Sequence, residues 1–297
     1  WIKLDNVLEN TKCIICSEQN GTPFLTVRDR LDSSSNSYNL IQCNCGFVYV
    51  NPRPSTDDID EYYKSAYYDP HNVKSKGMWY KTYRFIQNLA MRWKYSIISK
   101  YYQSGKLLDI GGGNGDFAAY MNKKGWDVTL QDNYINLDSS YNHISHVSQL
   151  SDIPSQDEFE LITLWHALEH IHDITALFNY IGNFLKKDGI MIIAVPNMLA
   201  PERKFYKNTW AAYDAPRHLY HFNLNRLTRL LNQNGYDIIQ KYSIYQDMPY
   251  NILLSLPTCS PFQIFKALFV SIYSFIFTLL AGPKYASSIS LVCKKSI

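Results

Sequence analysis

Leu107-Leu108-Asp109-Ile110-Gly111-Gly112-Gly113-Asn114-Gly115-Asp116-Phe117 is the stretch that decides how the chain is read. It passes from an apolar strand through a glycine-rich turn into the start of a helix. Glycines at such a turn allow positive φ and close backbone approach to a ligand, and the helix N-terminus presents oriented N–H groups. A nucleotide-like ligand is implied. A dinucleotide fingerprint can be forced through Gly113, Gly115 and Ala118, but it leaves Gly111 and Gly112 inside the strand and gives Asp109 no role. The register Asp109-x-Gly111-x-Gly113-x-Gly115 fits better.

Outward from this loop, strand-like and helix-like segments alternate. Strands are expected at 106–110, 127–131, near His146-Val147, and at 160–164, 190–195, 236–243 and 287–293; helices at 116–124, 174–185 and 224–234. Such alternation predicts an α/β fold, a doubly wound, mainly parallel seven-stranded sheet.

The second strand, Gly125-Trp126-Asp127-Val128-Thr129-Leu130-Gln131, ends at Asp132. A glycine loop followed one helix later by an acid at a strand end resembles the class I S-adenosylmethionine-dependent methyltransferases, which are Rossmann-like. The resemblance implies that Gly111, Gly113 and Gly115 cradle S-adenosyl-L-methionine, that Asp109 sits near its methionine portion, and that Asp132 takes both ribose hydroxyls. A carboxylate suits a vicinal diol because it accepts two hydrogen bonds at once. Phe159-Glu160-Leu161-Ile162-Thr163-Leu164-Trp165-His166-Ala167-Leu168-Glu169-His170 looks like the fourth-strand motif of these enzymes, with Glu160 where the family usually has Asp. Together with Ala215-Pro216-Arg217-His218-Leu219-Tyr220-His221-Phe222 it resembles a bacterial Methyltransf_23-like group that often modifies sugars, lipids or secondary metabolites. The resemblance thins over 245–285.

Four of the six cysteines fall in the first 45 residues, as Cys13-x-x-Cys16 and Cys43-Asn44-Cys45. This clustering points to metal in a reducing compartment rather than a disulfide framework. Four thiolates make a closed tetrahedral site suited to structural Zn. The second pair is one residue shorter than the group's usual Cys-x-x-Cys-Gly, so an altered turn is needed for all four to reach one ion. The chain is therefore divided into a zinc-ribbon-like module (1–60), a helical linker (61–105) whose apolar residues recur at helical spacing from about Lys76 to Tyr102, and a catalytic domain (106–297) with an apolar helical insertion at about 245–285.

Methyl transfer to a hydroxyl or acidic carbon needs a base, and histidine suits neutral pH. His218 is the favoured candidate, with His166, Tyr220 and His221 also placed in the catalytic loops. Arg217 beside His218 is expected to help hold a phosphate, carboxylate or hydroxyl. Trp165 is expected to line the cofactor or acceptor pocket. Glu169 and His170 read more readily as structural, and Tyr67 and Tyr68 as residues that cover the pocket.

A net charge of +3, with no run of Lys or Arg longer than two, argues against a nucleic-acid partner. The expected acceptor is a small molecule, a saccharide or a lipid-linked glycan. An RNA methyltransferase guided by the cysteine module and a non-catalytic scaffold that binds S-adenosylmethionine are the competing readings. The first residues lack the apolar run of a signal peptide, so a cytoplasmic location is expected. Residues 262–281 are apolar enough to pass for a membrane span. Because another strand follows them, they are read as a lid, a homodimer face or a peripheral membrane contact.

Overall fold

The computed structural model describes residues 8–31, 36–63, 78–133, 141, 144–156, 158–258 and 260–296, of which 78–85 as backbone. Tyr67, Tyr68, Cys259 and most of the polar loop after Leu31 lie outside them. The N-terminal strands are β1 (Leu8–Glu9), β2 (Gly21–Arg28), β3 (Ser37–Cys43), β4 (Val48–Val50) and β5 (Arg53–Pro54). Along β3, Tyr38, Leu40 and Cys43 point inward and alternate with exposed residues, as expected for a sheet wetted on one face. The helix α1 (Met78–Ile98) then leads to the main sheet.

That sheet follows from the chain order β6 (Lys106–Ile110), α2 (Asp116–Asn122), β7 (Asp127–Gln131), β8 (Ser145–Val147), β9 (Phe159–Trp165), α3 (Ile174–Phe184), β10 (Leu185–Pro196), α4 (Arg203–Tyr206), β11 (Tyr220–His221), α5 (Leu224–Gln233), β12 (Tyr236–Ile244), α6 (Asp247–Leu254), α7 (Pro261–Ala281) and β13 (Ser288–Lys295). Its seven strands lie in the order β12-β13-β10-β9-β6-β7-β8. Only β13 is antiparallel to its neighbours. The central strands β9 and β10 are nearly continuous apolar runs, because helices cover both faces of a parallel sheet. Side-chain caps fix the helix starts: Asp173 accepts from Ala176 N and Asn223 from Arg226 N.

Two features differ from the sequence reading. Strand β10 begins at Leu185 rather than Ile190, because Leu185 pairs with Phe159 and the register then shifts before Ile190. The described part of the module, residues 8–60 apart from 32–35, is also joined to the rest of the chain. The two-residue strand β11 completes the module's sheet in the order β11-β4-β3-β2, and Cys13, Ile15, Phe47 and Tyr49 share one core with Leu219, Phe222 and Leu227.

Candidate active site

Strand β6 delivers the glycine loop to the carboxyl edge of the sheet, where ligands bind in open α/β folds. Gly111 has φ +67°, and a Cβ there would lie 2.6 Å from that of Ala167. Gly113 has φ +56° and faces open space: a Cβ would meet nothing within 4 Å among the described residues. Gly115, at φ 79°, opens α2. Asp109 is buried; its Oδ1 accepts from Thr163 Oγ1 at 2.6 Å, while Oδ2 has no hydrogen-bond partner among the described residues. Burial pushes its carboxyl up to about 6. Asp132 Oδ2 accepts from the Gly113 N–H at 2.9 Å, which ties the end of β7 to the loop. An open cradle over Gly113, an unsatisfied buried carboxylate oxygen and a strand-end acid fit the polar portions of S-adenosylmethionine.

Trp165 closes β9, buried, with its ring centroid 5.7 Å from Phe117 and 6.3 Å from Trp93. Lys94 on α1 lies over it, Nζ 4.4 Å from the indole ring centre. Burial lowers the Lys94 ammonium to about 8 against the opposing pull of Asp109 and Asp247. The sequence reading gave the cations of α1 no role, and only the packing of α1 against α2 and Trp165 identifies Lys94.

The predicted bases have different fates. His166, at φ 56°, holds Asp247 at 2.9 Å through Nε2 and Glu169 at 3.6 Å through Nδ1. Burial opposes its charge, but the Asp247 and Glu169 carboxylates raise it to about 10, so it is an imidazolium at neutral pH and not a base. Tyr220 lies inside the module's sheet, its hydroxyl accepting from Arg53 Nη1 at 2.8 Å and donating to the His172 carbonyl at 3.1 Å, so it is a structural tie. His221 is buried in the same strand against Tyr213; burial and His218 lower it to about 3, leaving it a neutral core residue. Arg217 is also removed from ligand binding. Its guanidinium donates to Asp29 at 2.7 Å and to Asp214 at 2.9 Å, with only 1% of the side chain exposed.

His218 is placed otherwise. Half-buried, its Nδ1 lies 2.9 Å from the Ala212 carbonyl, which fixes the proton on Nδ1 and leaves a lone pair on Nε2. Its ring stands edge-on to His170 at 4.6 Å. His170 Nδ1 meets the Tyr63 hydroxyl at 2.9 Å, and burial with the neighbouring His218 lowers it to about 4. Glu169, fully buried, has no hydrogen-bond partner among the described residues on either oxygen. One ligand-type atom from each of Glu169, His170 and His218 falls within 4.8 Å of the others. Glu169 and His170 are thus clustered with His218, and Tyr63, from the segment just after the module, reaches the same cluster through His170.

The cysteines form a second centre. Cys13 Sγ lies 3.6 Å from Cys45 Sγ, and Cys16 Sγ 3.4 Å from Cys43 Sγ. All four sulfurs are within 4.8 Å of one another. The short second pair reaches the group through a tight turn: Gly46 adopts φ +84° and its N–H bonds the Cys43 carbonyl at 2.7 Å. These separations approach the edge, roughly 3.8 Å, of a tetrahedron of thiolates about 2.3 Å from zinc.

A family model described as "Methyltransferase domain", Methyltransf_23, matches residues 81–241. The chain belongs to this methyltransferase family. It is an S-adenosylmethionine-dependent methyltransferase, and the match spans the glycine loop, Asp132 and the histidine loops. Among solved structures, the chain is similar to the 1,6-didemethyltoxoflavin-N1-methyltransferase of Burkholderia thailandensis with bound 1,6-didemethyltoxoflavin and S-adenosylhomocysteine, at 14% identity, with 93% of this chain and 100% of that one covered and a TM-score of 0.52. It is also similar to a SAM-dependent methyltransferase from Archaeoglobus fulgidus, at 14% identity, 74% and 100% coverage and a TM-score of 0.48. No curated protein sequence matches the chain.

Proposed function

We propose that this methyltransferase methylates a hydroxyl or carbon of a saccharide, a lipid-linked glycan or a secondary metabolite, with His218 as general base. The observation that carries the reading is the His218 imidazole, its Nδ1 anchored to Ala212 O and one ring nitrogen within 4.8 Å of a carboxylate oxygen of the buried Glu169. When bound, S-adenosylmethionine supplies a methyl group already activated on a sulfonium. Asp109, Gly111, Gly113, Gly115 and Asp132 hold it, and Trp165 walls its pocket. His218 Nε2 takes the acceptor's proton, and the Glu169 carboxylate stabilises the imidazolium that results. Tyr63 and His170 orient His218. The four cysteines hold a structural zinc that keeps the module, and with it Tyr63, in place.

The test is His218→Asn, with turnover measured on a panel of saccharide and lipid-linked acceptors and S-adenosylhomocysteine affinity measured by calorimetry. We expect turnover to fall roughly 100-fold to 10,000-fold at unchanged affinity. Turnover within a few-fold of wild type removes His218 from the chemistry.

A further inference from the structure

Helix α7 is packed inside out. It is 21 residues long and ends in β13, so both of its ends belong to the same domain. Its buried residues are Ala267, Val270, Ser274 and Thr278, a stripe of small side chains at helical spacing. Its bulky residues point outward: Phe262 is 73% exposed, Phe265 70% and Leu280 82%. A helix seated on a water-soluble domain buries its large apolar side chains and exposes its small polar ones. This one does the reverse over about 31 Å of length.

Length and composition alone would let α7 cross a bilayer. Its attachment excludes that orientation. The stripe is docked on the domain from Ala267 to Thr278, Thr278 Oγ1 bonds the Tyr285 carbonyl at 3.1 Å, and by Ser288 the chain is paired on both sides in the sheet, between β10 and β12. The helix therefore lies along the surface.

The charges around it select the partner. Lys204, Lys207 and Lys284 are exposed and Lys266 half-exposed, with Phe205 beside Lys204 packed on Tyr273 at 5.3 Å. The acids of the same segments, Glu202 and Asp247, are turned inward, the first fully buried and the second paired with His166. A two-fold dimer through this face would bring lysines against lysines. A bilayer surface with anionic lipid accepts both the apolar face and its basic rim.

We propose that α7 docks the enzyme in the plane of a membrane bearing anionic lipid. Helix α6 packs on α7 and carries Asp247 to His166 at the end of β9, so the docked face adjoins the acceptor loops. Resting on the function proposed above, this narrows the acceptor to one that resides in the membrane, such as a lipid-linked saccharide.

The experiment is flotation of the full-length protein with phosphatidylcholine vesicles with and without phosphatidylglycerol, alongside sedimentation velocity and S-adenosylhomocysteine calorimetry on the same samples. We expect flotation with the anionic vesicles, a roughly tenfold weaker partition for Phe265→Asp/Leu280→Asp and for Lys204→Glu/Lys284→Glu, and unchanged cofactor affinity in both variants. Folded wild-type protein that ignores both vesicles, or a dimer abolished by Phe265→Asp/Leu280→Asp, overturns membrane docking and leaves the cofactor and His218 readings standing. Wild-type protein that floats but does not bind S-adenosylhomocysteine overturns the cofactor reading and leaves membrane docking standing.

Discussion

In the proposed site, the cofactor wall comes mainly from one stretch of chain, Lys106 to Asp132, with Trp165 added from the end of β9, whereas the acceptor wall is assembled from distant pieces. Tyr63 arrives from the segment just after the module, Glu169 and His170 from the end of β9, His218 from the loop before β11 and Asp247 from α6. The module holds these pieces together. Asp29 grips Arg217, Arg53 grips Tyr220, and the Pro54 carbonyl meets His172. The cofactor wall is thus stabilised mainly by its own sheet, and the acceptor wall by contacts to the N-terminal module that carries the cysteine centre. Damage to the module should therefore stop acceptor chemistry before it stops cofactor binding.

The harshest way to break this comparison is to open the cysteine centre. Cys16→Ser should lose bound metal and melt the module, because the thiolates hold a segment too small to fold alone. Displacing Tyr63 and the His218 loop should then cost roughly 100-fold in turnover, with S-adenosylhomocysteine affinity changed only a few-fold. The readouts are metal content, circular dichroism and calorimetry. Loss of cofactor affinity in step with turnover would show that the two walls are not separable. Wild type should carry one zinc per chain, since Glu169, His170 and His218 are assigned to proton transfer; a second bound metal would overturn that assignment.

A milder cut removes one tie. Arg217→Met leaves Asp29 and Asp214 buried without their cation and should cost about 3–5 kcal/mol by chemical denaturation. Its turnover should fall more than its cofactor affinity.

On the cofactor wall the informative change is Gly113→Ala. A Cβ there touches no atom of the described residues within 4 Å, so the stability cost is that of a positive φ, about 1–2 kcal/mol. It does fill the cradle, and affinity for S-adenosylhomocysteine should fall by roughly tenfold or more, at least 1.4 kcal/mol. Unchanged affinity would move the cofactor off the loop.

The same contrast explains what the sequence disclosed. The proposed cofactor wall could be picked out in the sequence because Asp109, the glycines and Asp132 lie within one strand-helix-strand unit, whose spacing carries the local geometry. Seven strands and their order of occurrence were equally legible, since buried parallel strands are apolar runs. The acceptor wall was only partly legible. His218 could be singled out as a histidine in a loop at a strand end, but nothing local distinguished it from His221, three residues on, which the two-residue strand β11 turns into the core. The ion pairs of Arg217 and His166 reach residues 188 and 81 positions away in sequence, respectively, so their commitment could not be read from neighbours. Lys94 looked like any cation on a long helix.

The smallest expected effect concerns the link between the acceptor wall and the apolar helix. In the His166–Asp247 pair, the histidine is raised from 6.5 to about 10, so its contribution to stability is complete below 6.5 and is lost as pH rises through about 10. Asp247 is lowered from 3.8, chiefly by His166 acting against burial, so its contribution is present above that value and disappears as pH falls below it. The pair therefore stabilises fully between about pH 5 and 6.5 and progressively less above that. Asp247→Asn should lower the melting temperature by about 2–4 °C in this window, the pair being partly open to solvent. Because Glu169 also faces His166, some of the charge remains paired in the variant, which keeps the effect small. Above pH 10 the deficit should close as the wild-type histidine loses its proton. Melting curves of both proteins from pH 5 to 10.5 decide the matter: a deficit that stays constant across the range would mean that Asp247 holds α6 by packing, and that charge does not couple the acceptor wall to the helix beside it.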